Sequence, residues 1–108
     1  MVGKLFRVIF SPKSRKRLRE ISDYHEKNAS PAVARKVRRG LTSTARKLEK
    51  LPESKPKLPG SEKLDYPVRY TKKWSYKIIF RVFKIDGIVS ILTIRHDKED
   101  PDDILNDL

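Results

Sequence analysis

Two histidines, His25 and His96, are the side chains of this 108-residue sequence whose ordinary pKa suits proton transfer near neutral pH. His96 follows Arg95 at the end of an apolar run beginning at Gly87, and the run before that carries Lys77 and Arg81 among Tyr76, Ile78, Ile79 and Phe80. A histidine with cations beside it could move a proton and stabilise charge developing on a phosphate. More cations flank the runs: Arg69, Lys72 and Lys73 before them and Lys98 after. With Lys77 and Arg81 these are candidates for gripping a phosphate or another anion. Plainer readings stand beside each. His96 is read first as closing a strand and bonding a loop, because a lone histidine is weak evidence of catalysis. Arg81 reads equally well as an exposed cation on an open sheet face, and His25 as a structural residue on a helix edge.

The chain has no cysteine, so disulfides and thiolate metal sites are excluded, and two histidines leave little for a histidine site. No cofactor or metal is expected. No apolar run approaches the roughly 20 residues of a membrane span, and the first ten residues lack the apolar stretch of a secretory signal. A cytosolic protein without membrane partners is expected.

The formal net charge is +12, unevenly spread. Residues 1–57 hold 17 Lys and Arg against 5 Asp and Glu, whereas residues 97–108 hold 1 against 6. A basic body with an acidic end should attract a polyanion, either nucleic acid or an acidic protein segment.

Elements that could position these residues follow from local pattern. The run Lys4–Phe10 is apolar and β-branched, and leads into Ser11-Pro12, an N-cap with a first-turn proline. Leu18 and Ile21, followed by Tyr24 or His25, recur at helical spacing, while Lys13, Arg15, Lys16, Arg17 and Arg19 crowd the first turns against the helix dipole. Ser30-Pro31 begins a second helix with Val33, Val37, Leu41, Ala45, Leu48 and Leu51 on one stripe. Its basic face reads first as solvated and second as a surface for phosphate or an acidic peptide. Residues 52–67, with four prolines, form a loop. Strands are expected at Val68–Thr71, in the run Ser75–Phe83 and in the run Gly87–His96, the last two joined by a turn at Asp86-Gly87. The last strand is apolar on both sides and belongs mid-sheet. On the strand before it, Lys77, Ile79, Arg81 and Phe83 share the face away from the helices, which we expect to be open. Asp100-Pro101 begins a short helix or tail.

The order of elements, with Tyr76-Lys77-Ile78-Ile79-Phe80-Arg81-Val82, Ile91-Leu92-Thr93-Ile94-Arg95-His96 and Asp100-Pro101, resembles the RelE/ParE superfamily of type II toxin–antitoxin systems. The likeness runs from about Phe6 to Pro101. It implies one α+β domain over residues 1–108: a small, mostly antiparallel sheet, one N-terminal strand plus a three-strand C-terminal meander, covered on one face by an α-helical hairpin. It also implies a cognate antitoxin, whose extended and often acidic segment wraps the toxin, and an essential target.

Two activities occur in the superfamily. RelE-like members cut messenger RNA on the ribosome, and ParE-like members poison DNA gyrase without being nucleases. A nuclease made from this chain would use His96 with Lys77, Arg81 and Arg95, cutting RNA without metal. Lys77 stands where RelE-like nucleases keep an arginine, and Lys98 near where they keep another; lysine holds phosphate only as a point charge. No catalytic tyrosine or histidine follows His96. The Arg95-His96 ending before Asp100-Pro101 looks more like the ParE-like branch. A small basic nucleic-acid-binding module is the third reading, disfavoured by the scarcity of exposed aromatics for stacking bases.

Overall fold

The computed structural model describes residues 4–108. Four strands form one sheet in the order β1-β4-β3-β2, with β1 at Arg7–Phe10, β2 at Arg69–Lys73, β3 at Tyr76–Phe83 and β4 at Ile88–His96. β1 runs parallel to β4, and the other pairs are antiparallel. The expected α+β architecture is observed, and β4, apolar on both sides, is an inner strand.

Between β1 and β2 the chain forms helices α1, Pro12–Asn28, and α2, Pro31–Arg46. Both begin as their sequences dictate. Ser11 Oγ accepts from the Ser14 amide at 3.0 Å and Ser30 Oγ from the Val33 amide at 3.1 Å, each satisfying one amide that a first turn leaves unpaired. On α1, His25 rather than Tyr24 continues the inward stripe of Leu18 and Ile21, and Tyr24 is exposed.

The helices lay Leu18, Ile21, Leu41 and Ala45 over Ile78, Phe80, Val89, Ile91 and Ile94, and Leu48 just past α2 completes this main core. Leu41 is fully buried, so Leu41→Ala should cost about 2–5 kcal/mol. The stripe does not extend to Leu51. The chain tightens into a 3-10 turn at Lys47–Glu49, and Leu51 takes a left-handed conformation (φ 48°) before Pro52, which leaves it exposed.

The expectation that the second sheet face is open is wrong. Leu58 from the proline-rich loop, Val68, which lies just before β2 rather than in it, and Ile104 from a C-terminal helix, α3 (Pro101–Asn106), close over Ile79 in a second, smaller core. A bulge makes this possible. β3 and β4 pair in step from Tyr76–His96 to Ile79–Thr93, then resume at Phe80–Ile91, so Leu92 is an extra residue. Leu92 packs into the second core beside Thr93, which pairs with Ile79 of that core. The Thr93 hydroxyl is fully buried and lacks a hydrogen-bond partner.

Candidate functional site

Strand alternation and register distribute the candidate residues between two faces. On the face away from α1 and α2, Lys72, Lys77 and Arg95 stand side by side across β2, β3 and β4. Three cations in adjacent register would repel, and acids from residues 97–108 relieve two of them, Lys72 and Arg95. Arg95 donates from Nε to Glu99 Oε2 at 2.9 Å and from Nη1 to Asp107 Oδ2 at 2.9 Å. Lys72 meets Asp97 at 3.2 Å. Lys77 lies over the Tyr70 ring, 5.5 Å from its centre.

Arg81 belongs to the same face but is held by stacking. Its guanidinium lies 4.2 Å from the centre of the Tyr66 ring and 4.4 Å from that of Phe83. Such contacts leave the charge available while fixing the plane of the group. Lys98 is exposed in the turn after β4.

Arg69 and Lys73 do not join this group. They pair with Phe80 and Tyr76, whose side chains face the helices. Arg69 donates to the Lys55 carbonyl, bracing the loop, and Lys73 lies over the Trp74 ring, 4.7 Å from its centre. Trp74 has φ 54°, unusual for so bulky a residue, and rests against Gly40 of α2.

His96 is likewise separated from Lys77, Arg81 and Arg95. It pairs with Tyr76 on the helix side, the two rings meeting edge to face at 5.5 Å. Its Nδ1 accepts from the Lys98 amide at 3.1 Å, the strand-closing, loop-bonding role that its position suggested. Alternation along a strand carries the signal: neighbours such as Arg95 and His96 point to opposite faces.

On the helix side, sequence reasoning overlooked a chain of polar aromatics. His25 Nε2 lies 3.1 Å from the Tyr76 hydroxyl, and the Tyr76 ring touches His96. Arg17 is close by, donating to the Ile94 carbonyl at 3.2 Å. Burial, then the neighbouring Tyr24, push the Tyr76 hydroxyl above its ordinary pKa, with Arg17 opposing. It therefore holds its proton, the opposite of what a general base needs.

The Glu99 carboxyl is pulled both ways. Burial raises its pKa, but the bonds from Arg95 and from the His96 amide, with the charges of Arg95 and Arg17, outweigh burial and hold it below its ordinary value. Arg95 is raised, first by its bond to Glu99, against the effect of burial. This pair is therefore charged throughout the neutral range. Among the described residues no group of three or more His, Cys, Asp or Glu could hold a metal ion, and no helix is long and apolar enough to cross a membrane.

The fold has solved counterparts. A chain from the chromosomal ParDE TA system of P. aeruginosa superposes with a TM-score of 0.70 at 19% identity, over 87% of this chain and 98% of that one. No curated protein is similar enough to count as a relative. The family model for the ParE toxin of type II toxin–antitoxin system, parDE, matches residues 8–101. Those residues span β1 to the first residue of α3, the sheet, both helices and the Arg95-His96 ending alike, and the chain belongs to the ParE toxin family.

Proposed function

We propose that this toxin inhibits growth by binding DNA gyrase, without cutting RNA, and that a cognate antitoxin neutralises it. The observation that carries the reading is the separation of His96 from Lys77, Arg81 and Arg95 by the thickness of the sheet. Metal-free RNA cleavage needs proton transfer and charge stabilisation at one phosphate. The register sets the His96 side chain on one face and those of Lys77, Arg81 and Arg95 on the other, which favours the reading without cleavage.

The condition of each residue supports the same reading. Arg95 is taken up by two carboxylates, and His96 Nδ1 is engaged by the Lys98 amide. Lys77, Arg81 and Lys98 remain to meet a protein surface. The antitoxin follows from family membership and from the net charge of +12, which suits an acidic wrapping segment.

Inducing the chain in bacteria tests this. Filamentation with DNA-damage signalling and intact messages is expected. Rapid arrest of translation with cut messages would make it a ribonuclease, and no growth defect would reject both activities.

A further inference from the structure

The basic face of the helix hairpin is indented. A cleft of about 740 Å³ runs along α2 between Arg35 and Lys47 and shares Arg38, Thr42 and Arg46 with a second hollow of about 430 Å³ reaching Arg15 and Arg19 of α1. The two hollows adjoin along these three residues as one shallow trough, and six of its twelve lining residues are arginine. Other cations of α1 are spoken for: Lys13 bonds Asp107, and Arg17 bonds Glu20 and the Ile94 carbonyl. Among the described residues, none of Arg15, Arg19, Arg35, Arg38, Arg39 and Arg46 is ion-paired. Glu49 lines one end but pairs with none of them.

We propose that this trough binds the phosphodiester backbone of duplex DNA. Unpaired cations gathered in one concavity destabilise the free protein, and a polyanion relieves them by releasing its counterions. Arg15 stands close to the start of α1, whose first turn holds no acid, so the helix dipole does not favour a cation there. Positions 35, 38, 39, 42 and 46 form one stripe about 16 Å long, the axial length of roughly five base pairs. Arginine forks and the hydroxyls of Thr42 and Ser43 are the groups that contact phosphate.

The trough suits a duplex better than a single strand or an acidic peptide. Of its apolar residues, Leu18 is buried and Phe10 is half-buried with Arg46 over its ring at 5.9 Å. No aromatic is free to stack an unpaired base, and the larger hollow, whose carbon surface comes from arginine and lysine stems, has no aliphatic or aromatic side chain to seat a peptide anchor. This inference does not depend on gyrase being the target.

The test is fluorescence anisotropy of the purified full chain with a labelled 20-base-pair duplex across a salt series. Binding should weaken by about a hundredfold or more between 50 and 200 mM salt, as several phosphate contacts require. Arg38→Gln with Arg46→Gln should weaken binding at least about tenfold and lower the slope of log Kd on log salt by about 2. The pair Arg35→Gln with Arg39→Gln, which leaves the contact of Arg46 with Phe10 intact, should act in the same direction, and remains informative if the first pair does not fold. Lys63→Gln, outside the trough, should change affinity by no more than about twofold. Duplex binding untouched by both arginine pairs would overturn the proposal. So would tighter binding of single-stranded DNA, or of a polyglutamate of equal charge, than of the duplex.

Discussion

Arg95 and Asp107, 12 residues apart in sequence, meet at 2.9 Å beneath the end of the chain. The contact is one of several that give Asp97, Glu99 and Asp107 basic partners within the fold. Asp97, Glu99 and Asp107 fold back to Lys72, Arg95 and Lys13, and α3 brings Ile104 onto Ile79 in the same movement. The acidic end is an internal counter-charge that closes the second core.

Acid should loosen this closure. Because the Glu99 carboxyl titrates below its ordinary value in the fold, its contribution is full above the unfolded value and is lost as pH falls through the folded one. Thermal melts between pH 6 and pH 3 should show part of the acid destabilisation missing in Glu99→Gln, which is already less stable at pH 6. Parallel curves for the two proteins would mean that Glu99 contributes nothing to the acid response.

Thr93 buries a hydroxyl that nothing satisfies. Thr93→Val keeps the shape and removes the cost, so stability should rise by about 1 kcal/mol, or about 4–8 °C in Tm. A lower Tm would show that the hydroxyl has a partner.

Gly40 gives Trp74 its seat. A Cβ at position 40 would lie 2.2 Å from Trp74 Cη2 and 2.7 Å from Cζ3, so Gly40→Ala must expel the indole despite its better helix propensity. Trp74 is the single tryptophan, and its emission should shift to the red. Unchanged emission would mean that the ring does not rest there.

Lys77 and Arg81 should separate surface from scaffold. Lys77→Ala should reduce toxicity with little change in Tm, since the ammonium makes one long contact with Tyr70. Arg81→Ala removes a cation from between Tyr66 and Phe83 and should cost about 1–2 kcal/mol as well. Toxicity that tracks Tm in both variants would make the two residues purely structural.

These cases also divide what was legible in the sequence from what was not. Ser11-Pro12 and Ser30-Pro31 were legible because capping is settled within four residues. The inner position of β4 was legible because an inner strand is apolar on both sides. The second core was not. Leu58, Val68 and Ile104 lie far apart with no shared period, and their meeting rests on the Leu92 bulge and on ion pairs reaching across the chain. The cations split for a similar reason: Arg69 and Lys73 are near Lys72 in sequence, yet alternation sends them to the helix side. The basic face of the second helix was legible as a possible phosphate surface, but not the trough itself, since which cations stay unpaired depends on where the acids fold.

The most direct measurement is gyrase supercoiling in the presence of the purified chain, with wild type, His96→Gln and Tyr76→Phe compared. Inhibition by all three, with less than about a twofold difference in the concentration required, is the predicted result, because neither side chain is asked to transfer a proton. Unimpaired supercoiling, together with RNA cleavage on ribosomes that disappears in His96→Gln, would contradict the account.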